Sequence, residues 1–301
     1  MTQLLLNSLS LAAAYSLLAM GFVLVLNATG AVNLAHGSFV VVGGLIAASI
    51  GSWLKLPGVL VLPFVLAGMV LIGGAMSLVA YYPLRNRPAV SVFISTISMS
   101  AILETASRLL FGPSPRVGPP ILSAGSLQAG GVTLSVQALS MILLAVILVG
   151  AQYLILAKTT LGKRMRAVAE DREIAAALGM NVNVMIVVTF GIAAALAGSA
   201  GLMFANTFYI TPGDGEAYMI KTYVAATMGG WGSLRGAVAG ALIVAVFEVL
   251  VPSLPVILPV ISGAQVLFSP TASTIWLYLA FLVVLFFRPQ GLFGEAVQQR
   301  A

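Results

Sequence analysis

Hydrophobic residues fill long stretches of this chain, and the charged residues fall between those stretches. No Lys, Arg, Asp or Glu occurs in residues 1–54, and further uncharged runs cover 117–157, 174–213 and 249–287. A helix needs about 20 apolar residues to cross the hydrocarbon core of a bilayer, so each run has room for a spanning helix. The sequence shows no alternating polarity in segments of about ten residues, which is the pattern of a membrane β-barrel.

The pattern predicts an all-α polytopic membrane protein, with a bundle of about 8 to 9 transmembrane helices. It is expected to form one domain over residues 1–301, with helices at 3–26, 38–54, 58–82, 90–111, 135–157, 183–206, 217–233, 236–252 and 272–288. The segment 217–233 carries Lys221 and ends in glycines, so it is expected to be short or broken, and its full crossing stays open. Long outer loops are expected at 112–134, where Gly and Pro exclude a long helix, and at 253–271, which three prolines interrupt.

Composition supports the membrane assignment and excludes several kinds of site. The chain is 60% hydrophobic and 7% charged, whereas soluble domains carry roughly 25% charged residues. The absence of cysteine excludes disulfides, thiolate metal sites and cysteine nucleophiles. The formal charge of +6 does not require a nucleic-acid partner, because membrane topology accounts for the basic residues.

The basic residues orient the predicted bundle. If 158–182 is a cytoplasmic loop, strict alternation places the N-terminus outside and the C-terminus inside, with an odd number of crossings. Ten of the 14 basic residues then lie on the cytoplasmic side, as the positive-inside rule expects. They are Arg85, Arg87, Lys158, Lys163, Arg164, Arg166, Arg172, Arg235, Arg288 and Arg300.

The most charged part of the chain is LGKRMRAVAEDREIAAALGM, residues 161–180. Its apolar positions share one side of a helical plot, with a phase shift midway: Leu161, Met165, Val168, Ala169, Ile174, Ala175 and Leu178. This indicates one or two short amphipathic helices at the cytoplasmic surface with a kink between them, and Gly179 suits a left-handed C-cap. A solvated loop is the alternative, but the clustered acids favour docking into a groove of another protein.

A polar junction follows the first predicted span. Asn33, His36 and Ser38 lie in NLAHGS between glycines, a composition typical of the discontinuous helices that transporters use to bind substrate. His36 is the only histidine, so a hydrogen-bonded structural role competes with a role in the path, and a zinc site is not expected. The glycine-bounded block 213–240 resembles this junction weakly, as paired interruptions in an internal repeat would.

Two carboxylates fall within predicted spans, where an ionised acid costs roughly 2.5–3.5 kcal/mol on insertion scales. Glu104 has Arg108 one turn later and is expected to pair with it. Glu248 has no partner in its own helix, which makes it the better candidate for the path or for a contact between subunits. Thr96 and Ser98, on the helix of Glu104, are further candidates to line the route.

Five blocks of the sequence resemble one family of transporters. EIAAALG (173–179) resembles the EAA-type cytoplasmic loop of ABC importer permeases, and the whole segment 161–180 is similar to that of the branched-chain amino acid permeases. The other blocks are GAVNLAHGSFVVVGG (30–44), YPLRNRPAVSVFISTISMSAIL (82–103), MGGWGSLRGAVAGAL (228–242) and FRPQGLFGE (287–295). They follow the family's order, so the resemblance covers nearly the whole chain.

The resemblance implies a multi-pass permease subunit of the bacterial inner membrane that imports branched-chain amino acids. Its implied partners are a second homologous permease subunit, as a heterodimer, two cytoplasmic ATPase subunits and an extracytoplasmic solute-binding protein. This chain would bind no cofactor, since ATP and Mg belong to the ATPases and the chain has no G-x-x-x-x-G-K-[ST] motif. The residues expected to couple to the ATPase are Arg166, Glu170, Asp171, Glu173, Ala175, Ala176 and Gly179.

Three alternatives stay open at this point. Relatives within the family carry urea or short amides, and the fold does not separate these substrates. A different class would be an ATP-independent channel or ion-coupled transporter that uses Glu104 and Glu248. An intramembrane enzyme is the third, although the sequence offers no second polar cluster that would complete an acyl-transfer site.

Overall fold

The computed structural model describes residues 2–123, 125–129, 132–257 and 266–294, and these residues form eleven α-helices and one β-hairpin. The elements are α1 (Thr2–Thr29), α2 (His36–Leu54), α3 (Gly58–Met76), α4 (Ala89–Phe111), β1 (Ser126–Ala129), β2 (Val132–Ser135), α5 (Val136–Lys158), α6 (Thr160–Glu170), α7 (Arg172–Ala177), α8 (Val182–Thr207), α9 (Gly215–Gly229), α10 (Leu234–Ile257) and α11 (Pro270–Phe287). A π-helical turn (Ser77–Tyr81) and a 3-10 turn (Tyr82–Leu84) continue α3, and a 3-10 turn (Pro212–Asp214) precedes α9.

The prediction of an all-α polytopic membrane protein is confirmed. Within the described residues, eight helices are long and apolar enough to cross a membrane: α1 to α5, α8, α10 and α11. The remaining predicted segment, 217–233, corresponds to α9, whose 15 residues extend about 22 Å against a hydrocarbon core of about 30 Å. The expectation of a short segment is therefore confirmed. It ends before 233 because Gly230 and Gly232 adopt positive φ, at 131° and 79°.

The two long loops predicted from the sequence, at 112–134 and 253–271, differ in how closely the structure matches them. The prediction of a loop from 253 onward is wrong, because α10 continues to Ile257 with Pro252 and Pro255 inside it. In an apolar environment a helix satisfies its own backbone groups, which favours extending it through a proline. Residues 258–265 of that loop, and Arg300 of the tail, lie outside the described residues. In the 112–134 loop, β1 pairs antiparallel with β2, and residues 124, 130 and 131 are outside the description.

Two helices form the centre of the bundle. In the most apolar stretch of each helix, 89% of the residues of α1 and 78% of those of α8 are buried, but only 11% of those of α4 and α11. α1 packs against α8 and α10, while α2 and α3 pack on other faces of α8. The apolar side chains left exposed on α4 and α11, such as Ile94 and Phe286, suit a lipid environment or a partner subunit.

Candidate functional site

The polar junction after α1 folds back into the bundle. α1 ends at Thr29, but the Nε2 atom of His36, the first residue of α2, donates a hydrogen bond at 3.0 Å to the carbonyl oxygen of Leu18. Since Leu18 lies eleven residues before the end of α1, α2 begins about 16 Å back along that helix. The His36 ring is fully buried. It packs edge-on against the ring of Phe22, with 6.0 Å between the two ring centroids. His36 therefore fixes the start of α2 against the middle of α1.

Side chains of α4 hold this junction in place. The backbone N–H of Leu34 donates to Thr96 Oγ1 at 3.1 Å, and the hydroxyl oxygens of Ser38 and Ser100 lie 2.8 Å apart. Asn33 is buried and its Oδ1 accepts a hydrogen bond from the N–H of Ala35. Three of the residues expected in the path, Asn33, Ser38 and Thr96, thus lie in one polar cluster.

Ser98 does not join that cluster. Its side chain is exposed and its hydroxyl donates to the carbonyl oxygen of Ile94 on the same helix. Sequence reasoning selected Ser98 and missed Ser100, although the spacing distinguishes them. Residues four apart share a face of a helix, whereas residues two apart do not. The face of α4 that carries Thr96 therefore continues to Ser100 and then to Glu104.

Glu104 and Arg108 extend the same face of α4, and the predicted ion pair between them is confirmed, with Oε1 and Nη2 2.5 Å apart. Both side chains are partly exposed, at 37% for Glu104 and 56% for Arg108. They border Gly213, since a Cβ at that position would lie 3.4 Å from Arg108 Nη2 and 3.7 Å from Glu104 Oε1. Gly213 belongs to the turn before α9, so α4 bridges the starts of α2 and α9.

The starts of α2 and α9 touch each other. A Cβ built on Gly37 would overlap the carbonyl oxygen of Gly215, and one built on Gly215 would lie 3.0 Å from Ser38 Oγ. Only glycine permits this approach of two backbones. The turn that starts α9 is fixed by a capping box, in which Asp214 accepts from the backbone N–H of Thr211 at 2.7 Å. The structure thus brings together the two glycine-bounded interruptions that the sequence shows far apart.

Glu248 finds its partners on other helices of the bundle. Its Oε1 lies 2.7 Å from Lys221 Nζ on α9, and its Oε2 accepts a hydrogen bond at 2.7 Å from the hydroxyl of Tyr15 on α1. These groups border a cavity of about 260 Å³, which Asp214 and Tyr218 also line. The ion pair is mostly buried, and each charge compensates the other. Because its groups lie on α9 and α10 and Tyr15 lies on α1, the contact joins three helices of one chain.

The charged segment forms two helices, as predicted, with the break at Asp171. Met165 (4% exposed) and Val168 (1% exposed) lie on the face of α6 that is buried against the bundle. There α6 packs on α5, α1 and α8. The sequence predicts that Ile174, Ala175 and Leu178 continue the apolar stripe with a phase shift, but in the structure they do not share one buried face. Ala175 is buried at 2%, so it packs against the rest of the chain, whereas Ile174 is exposed at 59%.

Asp171 has a structural task that the sequence reasoning did not assign to it. Its Oδ1 accepts the backbone N–H groups of Glu173 and Ile174, at 2.8 and 2.9 Å, and so caps the N-terminus of α7. Glu170 and Arg166 are exposed and do not form a salt bridge with each other. Gly179 has φ of 80°, which confirms the left-handed conformation expected at the end of the segment.

Arg172 ties the segment to the membrane helices. Its Nη1 donates a hydrogen bond at 2.8 Å to the hydroxyl of Tyr81, in the π-helical turn after α3. In the same turn, the carbonyl oxygen of Ala80 accepts a hydrogen bond from Ser95 of α4 at 3.0 Å. A sequence of direct contacts therefore leads from α7 through this turn to α4, whose next residue, Thr96, holds the junction.

Comparison with known proteins gives a consistent result. A family model described as "Branched-chain amino acid transport system / permease component" matches residues 4–288. The chain is 30% identical to the high-affinity branched-chain amino acid transport system permease protein BraD of Pseudomonas aeruginosa, over 97% of this chain and 95% of that protein. It is 31% identical to LivH of Escherichia coli K12, a permease protein with the same description, over 81% and 83% of the two chains. A probable branched-chain amino acid transport permease protein of Methanocaldococcus jannaschii is 28% identical, over 78% of this chain and 76% of its own. No solved structure matches the chain.

Proposed function

Since the chain belongs to the family of branched-chain amino acid transport permease components, we propose that it is the membrane-spanning subunit of an ABC importer for these amino acids. A soluble binding protein delivers the substrate and two cytoplasmic ATPase subunits supply the energy. A second homologous permease completes the path as a heterodimer. The subunit lies in the bacterial inner membrane with its N-terminus outside and its C-terminus in the cytoplasm.

The geometry of α6 and α7 is the observation that carries the proposal. One side of the segment is fixed to the bundle by Met165 and Val168, which are almost fully buried. The other side presents Ile174 and Leu178, one turn apart and exposed at 59% and 71%. Two exposed apolar side chains next to the charged residues Glu170, Asp171 and Glu173 in the sequence suit a contact with another protein. A partner that grips this side would move a segment that is fastened to the membrane helices.

The translocation path, in this proposal, passes the place where α2 and α9 start. Helix N-termini carry partial positive charge and expose unpaired N–H groups, which suit the carboxylate of an amino acid. Asn33, Ser38, Thr96 and Glu104 surround that place with polar groups. The Nδ2 atom of Asn33 is buried without a protein partner among the described residues, so it is available to a substrate or to water.

The ion-coupled alternative receives no support from the carboxylates that suggested it. Among the described residues, Glu104 pairs with Arg108 and Glu248 pairs with Lys221. A carrier driven by protons or sodium needs an acid that is free to bind the coupling ion, whereas each of these two acids already has a cationic partner within the chain. Glu248 instead fits the role of fixing helices against one another, since its partners Lys221 and Tyr15 lie on α9 and α1.

The test of coupling reverses two exposed charges on the segment. Glu170→Lys combined with Glu173→Lys leaves the cap of α7 intact, because only Asp171 supplies it. In proteoliposomes holding the complete transporter, the double variant is expected to hydrolyse ATP while uptake of radiolabelled leucine falls at least tenfold. The matched control is Glu170→Gln with Glu173→Gln, which removes the charges without reversing them and is expected to retain more uptake.

Unchanged leucine uptake in the reversed variant would refute the assignment of this segment to the ATPase. The substrate is tested separately, by titrating the cognate binding protein with leucine, valine and urea. Tight binding of urea with none of the amino acids would keep the permease assignment and replace the substrate.

A further inference from the structure

A long apolar groove runs along the outside of the bundle between α5 and α10, with α1 as its floor. We call this cavity of about 900 Å³ the α5–α10 groove. From Leu9 to Ala28, the first and last residues of α1 that line it, it extends about 28 Å, close to the thickness of a bilayer's hydrocarbon core. Its volume lies near the upper end of ordinary ligand sites.

Small residues make the groove deep. Ala12 and Ser16 on α1, Ala145 and Gly150 on α5, and Ala239 on α10 leave space where larger side chains would fill the gap between helices. A Cβ on Gly150 would meet no atom within 4 Å, so the space beside it is open. Most of the remaining lining is aliphatic, which suits a flexible hydrocarbon chain better than a polar solute.

The two charged residues of the groove lie at one end and have the same sign. Arg166 of α6 and Arg235 of α10 line that end, together with Asn27 from the last turn of α1. Among the described residues, no acid lines the groove and neither arginine takes part in a salt bridge. Arginines at the end of a membrane helix lie at headgroup depth, where they meet phosphate.

We propose that the α5–α10 groove binds one phospholipid with an anionic headgroup. The phosphate lies between the guanidinium groups of Arg166 and Arg235, and one acyl chain runs along α1 past Gly150. The charge pattern favours a lipid over a protein helix, since a second subunit seated there would need acids opposite both arginines. Binding is a property of this chain alone, so it does not rest on the proposed import activity.

Native mass spectrometry of the purified full chain tests this, with phosphatidylglycerol and phosphatidylcholine added at equal concentration. The wild-type chain is expected to retain one phosphatidylglycerol in preference to phosphatidylcholine. Gly150→Leu fills the groove and should lower the bound phosphatidylglycerol at least tenfold. The matched control is Gly68→Leu on α3, where a Cβ meets only Ile46 Cδ1 at 3.8 Å and which lies outside the groove; it should bind as the wild type does.

Arg235→Gln provides a second variant, on an exposed side chain. Loss of one interfacial arginine should weaken the binding of phosphatidylglycerol about fivefold and leave the binding of phosphatidylcholine unchanged. Equal retention of the two lipids by the wild-type chain, or undiminished retention by Gly150→Leu, would overturn the proposal. A single cysteine at Val146 in the groove that crosslinks to a second polypeptide in the assembled complex would also overturn it, because a protein would then occupy the site.

Discussion

The hydrogen bond between Arg172 and Tyr81 is expected to carry movement of α7 into the membrane helices. Tyr81→Phe removes the acceptor of the 2.8 Å bond and keeps the aromatic ring, which is 3% exposed and packs 5.9 Å from Phe190 between centroids. A hydrogen bond to a charged group contributes about 1.5–3 kcal/mol. Arg172 is only partly buried and can turn to water, so the lower end, about 1.5 kcal/mol, applies.

That energy matters if the bond is present in one transport conformation and weaker in the other. The population ratio of the two conformations then shifts by about tenfold, since 1.4 kcal/mol corresponds to one decade. We expect Tyr81→Phe to leave the ATPase rate within about twofold and to lower leucine uptake per ATP by several-fold. The assay is paired measurement of phosphate release and uptake in the same proteoliposomes.

A double-mutant cycle with Arg172→Met separates this bond from general damage. If the two side chains act through each other, the double variant should lose no more than the worse single variant, an interaction of about 1 kcal/mol or more. The neighbouring Tyr82→Phe is the matched control, because Arg85 lies 3.9 Å over the Tyr82 ring and a phenylalanine preserves that contact. Additive losses in the cycle, or an equal loss in Tyr82→Phe, would refute the reasoning.

Three further predictions concern the junction, the buried ion pair and the orientation. Ser100→Ala removes the hydroxyl that meets Ser38 and should lower the melting temperature by a few degrees, consistent with about 1 kcal/mol, whereas Ser98→Ala should not; equal effects would contradict the assigned face of α4. Lys221→Met strands the carboxylate of Glu248, which is 25% exposed, and should destabilise the chain in a thermal melt by about 2–3 kcal/mol after allowing for that exposure; the double variant Lys221→Met with Glu248→Met should recover part of the loss, and failure to recover any would argue against a direct pair. Glu170→Cys introduces the chain's single thiol, which a membrane-impermeant maleimide should label only in inverted vesicles; labelling from outside intact cells would reverse the proposed topology.

Much of the fold follows from the sequence because the membrane imposes simple rules. A segment in lipid must satisfy its own backbone and must be long enough to cross, so uncharged runs predict helices within a few residues. The rules weaken at the surface of the membrane. Pro252 and Pro255 suggest a loop, yet α10 continues through both to Ile257, because a missing hydrogen bond near a helix end costs less than an exposed backbone.

The candidate site could be predicted only in part, because its contacts join distant helices. The Glu104–Arg108 pair is local and follows from a spacing of four. Nothing in the sequence relates Glu248 to Tyr15, 233 residues away. The choice of Ser98 in place of Ser100 shows a different failure, since helical spacing alone contained the answer. The role of Asp171 as a cap was also readable, because an aspartate immediately before a helical run is a preferred N-cap.

To transmit force, the segment formed by α6 and α7 must contact both the membrane helices and an ATPase. Its residues fall into a buried group and an exposed group that suit these two contacts. If α6 and α7 were exposed on all sides, an ATPase could move them without moving the bundle; buried on all sides, they could not be gripped. Met165, Val168 and Ala175 are buried, whereas Ile174 and Leu178 are exposed. A charge reversal on the exposed side should therefore reduce uptake without lowering the melting temperature of the chain. Ala175→Leu, by contrast, should lower that melting temperature, because the larger side chain has no space against the bundle.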